Sequence, residues 1–170
     1  VWTLLNQYER SEKLGRNSTD YDTNTMALHV EETANDMPDI LDEAKWNIEW
    51  MLKMQIPAGE TFAGMAYHKM HDDGWTGLGL APHEDPKIRY IQAPTTAATL
   101  NLAAVAAQCA RVYEPFDEDL ADRCLAAAKF AYQAALDNPQ MYAGVPATDD
   151  PNPERFSMTN GDGGGMYDDD

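Results

Sequence analysis

Cysteine is nearly missing from this 170-residue sequence: it occurs only at Cys109 and Cys124, without C-x-x-C spacing. A zinc-organised fold, built on close pairs of soft ligands, is therefore not indicated. A disulfide between the two and a pair of buried thiols both remain open. Basic residues are scarce as well, with 12 Lys and Arg against 29 Asp and Glu for a net charge of −17. Such a surface repels phosphate backbones and argues against a nucleic-acid partner. No run of roughly 18 uncharged apolar residues exists, so no transmembrane helix and no membrane partner are expected. No initiating Met or basic segment precedes Val1-Trp2-Thr3-Leu4-Leu5, which reads as a helix already under way and not as a signal peptide. Tyr167-Asp168-Asp169-Asp170 ends as abruptly. The expectation is one domain fragment over residues 1–170, truncated at both ends.

Hydrophobic residues make up 44% of the chain, enough to bury a core. Their spacing predicts four helices and an all-α fold. Residues 1 to about 10 place Leu4, Leu5 and Tyr8 on one side. Residues 39 to about 55 follow Pro38, with Asp39 as a cap, Asp42 as a first-turn acid, and Ile40, Leu41, Ala44, Ile48, Met51 and Leu52 at helical spacing. A third helix runs over 95–113, started by Pro94 and Thr95 or Thr96, and carries almost no charge until Arg111; a helix apolar all round is expected to be buried on all sides. A fourth covers 117–138. Its first turns are loaded with Asp117, Glu118, Asp119, Asp122 and Arg123, and its expected packing face is Leu125, Ala128, Ala131, Tyr132 and Ala135. One inner helix alternating with one half-exposed helix is what a double ring of helices requires.

The connections 57–94 and 138–170 exceed the usual ~2–8 residues between packed helices, and long loops on a compact scaffold carry function. The first holds Phe62, Tyr67, His68, His71, Asp72, Trp75, His83, Arg89 and Tyr90. His68 and His71, three apart, would share a face in a helix and could hold a metal, but the glycines around them argue against a helix. An indole with His, Asp and Arg beside it suits a sugar: the ring stacks on a pyranose and the polar groups bond its hydroxyls. A loop in which Trp75 packs and His71 bonds to backbone is the structural alternative. Asp20, Asp22 and Asn24 form a second oxygen-rich loop, for which a plain turn is the simpler reading.

Several segments, in order, resemble one family. Val1-Trp2-Thr3-Leu4-Leu5-Asn6-Gln7-Tyr8-Glu9 is similar to the helix that follows the catalytic Asp-Ala-Gly-Asp loop of family 9 glycoside hydrolases, cellulases of the endoglucanase type. Leu41-Asp42-Glu43-Ala44-Lys45-Trp46 with Met51-Leu52-Lys53-Met54-Gln55 resembles their next helix. His68-Lys69-Met70-His71-Asp72 with Trp75-Thr76 resembles their substrate loop, and Thr96-Ala97-Ala98-Thr99-Leu100-Asn101-Leu102-Ala103-Ala104 the inner helix after it. Gly163-Gly164-Gly165-Met166-Tyr167 and the Asp run are similar to a segment leading to a calcium-associated turn. The subgroup resembled is the bacterial one that often carries an immunoglobulin-like module.

The resemblance implies part of an (α/α)6 barrel and inverting hydrolysis of β-1,4-glucosidic bonds in cellulose or related β-glucans by a secreted parent. It also implies that the base precedes Val1 and the acid follows Asp170, so no catalytic residue is assigned; adjacent acids such as Asp42-Glu43 and Asp72-Asp73 are more often solvated or ion-paired. His71, Asp72, Trp75 and Arg89 are the implied substrate-binding residues, and Asp168, Asp169 and Asp170 the implied partial calcium site. A non-catalytic helical carbohydrate-binding or scaffold domain is the alternative reading, as is a helical-barrel enzyme with another linkage preference.

Overall fold

The structure, a computed structural model, describes residues 1–15, 37–72 and 78–142. Four helices carry it: α1 (Trp2–Lys13), α2 (Asp39–Lys53), α3 (Thr96–Tyr113) and α4 (Glu118–Asp137). Between α2 and α3 the chain forms four short strands, β1 (Ala66–Tyr67), β2 (Met70–Asp72), β3 (Arg89–Ile91) and β4 (Pro94–Thr95), with a 3-10 turn over Pro82–Glu84. β1 pairs antiparallel with β4 and β2 with β3, giving two nested ribbons.

Helix termini follow side-chain chemistry at two places. Thr95 caps α3 by accepting from Ala98 N at 3.2 Å, and Asp117 caps α4 by accepting from Leu120 N at 3.0 Å. The expected cap of α2 fails. Pro38 holds the cap position without a side-chain bond, while Asp39 is already helical and fully buried. Neither Asp39 oxygen has a hydrogen-bond partner among the described residues. A residue inside the first turn points its carboxylate away from the amides that a cap would reach.

The main core gathers Leu5 of α1, Ile40, Leu41, Ala44 and Ile48 of α2, Val105, Ala106, Cys109, Val112 and Tyr113 of α3, and Leu120, Cys124 and Ala128 of α4. The Tyr113 hydroxyl, fully buried, donates to Leu41 O. Burial raises the Tyr113 phenol above its ordinary pKa, and the neighbouring Cys109, Asp42 and Cys124 add to the shift. Tyr8 and Phe116 meet edge to face at 6.1 Å. Around the core, ion pairs join the helices: Glu9 accepts from Arg111 Nε at 2.9 Å and from Gln108 at 3.0 Å, Lys45 donates to Asp117 at 2.7 Å, and Arg123 donates to Glu49 at 2.6 Å.

Two expectations about helix faces need correction. On α4, Leu125 and Tyr132 are exposed, and the buried arc is Leu120, Ala121, Cys124, Ala127, Ala128, Ala131, Ala134 and Ala135. At ~3.6 residues per turn, positions 125 and 132 lie at the margin of that arc. On α3, Leu100 is 43% exposed and Ala104 and Ala107 are exposed with it, so the helix is not buried on all sides. Together with Leu125 and Tyr132 these residues line an apolar groove of about 460 Å³.

Candidate functional site

The loop between α2 and α3 is anchored to both helices. Ile56 N donates to Met65 O and Gly64 N to Ile56 O, each at 2.8 Å, closing 56–65 into a small loop. Gly64, at φ +88°, lies so close to α4 that an added Cβ would stand 2.9 Å from Phe130 Cδ2 and 3.0 Å from Ala134 Cβ. Tyr67 N then donates to Met54 O at 3.0 Å, and Ala66 N to Thr99 Oγ1 at 2.9 Å. Thr99 donates to Thr95 O at 2.6 Å. One hydroxyl on the second turn of α3 thus ties β1 to the helix start. His68 Nδ1 lies 3.2 Å from Thr95 Oγ1, and His68 N donates to Ala93 O at 3.2 Å.

The end of α4 joins the same region. Thr96 N donates to Met141 O at 2.8 Å, and Met141 N donates to Thr96 Oγ1 at 2.9 Å. The C-terminal ends of α2 and α4 and the N-terminal end of α3 therefore share one end of the molecule, where the long loop stands. A hollow of about 160 Å³ opens here, lined by Trp50, Met54, Tyr67, His68, Ala98 and Asn101 among others. It offers a partly exposed indole, a phenol, an imidazole and an amide around an apolar floor.

Position 71 pairs with Tyr90 and position 72 with Arg89, in register across β2 and β3. Directly opposed residues share a face of a ribbon and successive ones alternate. The expected substrate-binding positions all fall in this connection, with 71 and 72 on β2, 89 on β3 and 75 between them in sequence. Arg89 is exposed and reaches Pro82 O at 3.4 Å. Trp75 lies outside the described residues, as do Asp168, Asp169, Asp170, Asp20, Asp22 and Asn24. His68 and His71 stand in different strands or turns, not on one helical face, as the flanking glycines imply. Among the described residues, no group of three or more His, Cys, Asp or Glu is set to hold a metal ion.

Trp50, Tyr67, Asn101 and Tyr90 were not singled out as site residues by sequence reasoning. Tyr67 and Tyr90 stood among the aromatic residues of the long connection, and Trp50 carried a further signal: with Trp46 it lies off the apolar stripe of α2, and both are exposed.

α3 and α4 run antiparallel over an alanine-rich core, with the connection between α2 and α3 standing at one end, an arrangement that fits part of a helical barrel. The model of the glycosyl hydrolase family 9 matches residues 1–170, and the chain belongs to that family. It is 47% identical over 169 residues to Endoglucanase C of Cellulomonas fimi, covering 99% of this chain and 14% of that protein. It is 46% identical over 173 residues to the cellulose 1,4-beta-cellobiosidase of Acetivibrio thermocellus, covering 100% of this chain and 18% of that protein. The crystal structure of a metagenome-derived family 9 endoglucanase superposes with a TM-score of 0.70 at 35% identity, over 86% of this chain and 24% of that one. The chain thus spans less than a fifth of the length of these two curated relatives, and its helices are part of an (α/α)6 barrel.

Proposed function

We propose that this chain is a segment of an inverting endo-β-1,4-glucanase, contributing barrel helices and part of the substrate cleft but neither catalytic carboxylate. The observation that carries this is the family match along the whole chain, together with relatives named as an endoglucanase and a cellobiosidase. The loop geometry supports it: an anchored platform of β1 to β4 stands at one end of the helices and bears His71, Asp72 and Arg89, with Trp75 in the same connection. Inversion needs one carboxylate to activate water and one acid to protonate the leaving oxygen, about 6.5–9.5 Å apart. In this reading both come from outside residues 1–170, and this segment binds and orients the glucan, with Trp75 as the stacking platform.

Calcium belongs to the reading only through the resemblance. A hard cation takes about 6–8 oxygens, and Asp168, Asp169 and Asp170 would supply part of that set. No step is routed through it. Secretion of the parent rests on the same resemblance.

The test is hydrolysis of cello-oligosaccharides by the complete parent, followed by NMR of the first-formed anomer. An α-configured new end from a β-linked substrate is expected; a β-configured end refutes inversion. The isolated chain is expected to release no reducing ends. Activity that survives repurification and disappears on substitution within residues 1–170 would place the catalytic groups here.

A further inference from the structure

α3 and α4 form an antiparallel hairpin across residues 114–117, and their buried positions step away from the turn in register: Tyr113 with Leu120, Cys109 with Cys124, Val105 with Ala128, then Leu102 with Ala131. Alanine dominates the contact, with Ala103, Ala106, Ala127, Ala128, Ala131, Ala134 and Ala135 all buried, which lets the two backbones approach closely. In the layer nearest the turn but one, both side chains are cysteine. Each is fully buried in the same core cluster, and both stand as free thiols in this structure. The two cysteines thus occupy facing positions of one buried layer of the hairpin.

We propose that Cys109 and Cys124 are a cystine-forming pair, closing an interhelical disulfide that staples α3 to α4. The oxidant is a disulfide, either oxidised glutathione or that of a thiol oxidoreductase. One cysteine loses its proton and its thiolate attacks the oxidant, forming a mixed disulfide and releasing one oxidant thiolate. The second cysteine loses its proton and attacks the first cysteine's sulfur, forming the Cys109–Cys124 bond and expelling the second oxidant thiolate. Two protons leave, two electrons pass to the oxidant, and it ends as two thiols. The timing follows from burial. Both cysteines are fully buried once the hairpin has closed, out of reach of a disulfide oxidant in solution. Closure of the bond precedes full docking of α4 on α3, and afterwards the bond is shielded from reductant.

The test is a peptide map of the complete polypeptide, folded once with a glutathione redox couple and once with dithiothreitol, then alkylated in denaturant. Trypsin cuts after Arg89, Arg111, Arg123 and Lys129, placing Cys109 in peptide 90–111 and Cys124 in peptide 124–129. The expected result is peptide 90–111 joined to 124–129 in the oxidised sample and released by reduction. Free alkylated peptides, glutathione adducts, or either peptide joined to another cysteine would overturn the proposal. The unaltered chain decides this without any variant. As a second readout, the oxidised form should unfold on the order of 100-fold less readily at equilibrium than the reduced form, and Cys124→Ser should erase the difference.

Discussion

Substituting alanine at Gly64 and at Gly59 separates backbone strain from steric conflict, because the two glycines share the first and only one meets the second. Both hold positive φ, +88° and +93°. An L side chain there costs about 1–2 kcal/mol, offset by about 0.4–1 kcal/mol of lost unfolded-state freedom, for a net of roughly 1 kcal/mol. At Gly59 nothing stands within 4 Å of the new Cβ, so the effect ends there. At Gly64 the Cβ meets Phe130 Cδ2 at 2.9 Å and Ala134 Cβ at 3.0 Å. The Phe130 ring, 37% exposed, has room to swing, but the Ala134 methyl is fixed to α4. Overpacking of this kind adds about 1–3 kcal/mol, so Gly64→Ala should cost about 2–4 kcal/mol in all. Denaturant unfolding of the complete parent carrying each substitution gives the comparison. Adding Phe130→Ala to Gly64→Ala should recover part of the loss and leave the part due to Ala134. Equal destabilisation by Gly59→Ala and Gly64→Ala would refute the claim that the loop is seated on α4 by close backbone approach.

Thr99→Val keeps the shape of the side chain but strands the buried Ala66 N–H and frees Thr95 O, so it should destabilise by roughly 1–3 kcal/mol; unchanged unfolding would show that Thr99 does not tie β1 to α3. The hydrogen bond from Lys45, then that from Leu120 N, holds the Asp117 carboxyl below its ordinary value. A depressed folded pKa gives stability that is present above the unfolded value of about 3.9 and lost as pH falls through the folded one. Melting temperature should therefore drop below about pH 4, less steeply for Asp117→Asn; parallel profiles would remove Asp117 from the account. Trp75→Ala in the parent should weaken cello-oligosaccharide binding by about 1–3 kcal/mol with little change in melting temperature. A large thermal loss with unaltered affinity would make Trp75 a packing residue. The isolated chain, with the groove of Leu100, Ala104, Leu125 and Tyr132 open, should bind a hydrophobic dye and melt broadly; a sharp transition in a monomeric sample would refute this.

Helix positions were legible because periodicity is local. Residues 95–113 and 117–138 read from the sequence coincide with α3 and α4 to within a residue, and Thr95, one of two threonines read as starting α3, is its cap. What was not legible depends on neighbours. The alanine-rich face of α4 could be read several ways, since small residues mark no single arc, and the larger Leu125 and Tyr132 drew attention to the wrong side. The strands were missed because segments of two or three residues carry no period and are fixed by hydrogen bonds to distant chain, as between Tyr67 N and Met54 O. For the site, residue types were legible but strand pairing was not: only the register sets 71 opposite Tyr90 and 72 opposite Arg89, because pairing depends on residues distant in sequence.

The threonines at the start of α3 show how the sequence positions a site without naming one. In a helix, threonine is an indifferent former, and Thr95, Thr96 and Thr99 cluster where the alanine-rich helix begins. Each hydroxyl instead reaches a different segment: Thr95 the His68 ring, Thr96 the backbone at Met141 and Asn138, Thr99 the backbone of β1. Threonine suits this because its branched side chain is stiff at χ1, so a hydroxyl fixed to the helix points one way. Charged residues could form the same contacts only by burying charge, since Thr95 is 1% and Thr99 0% exposed. Neutral hydroxyls on α3 therefore tie β1, the His68 turn and the segment after α4 to one helix start.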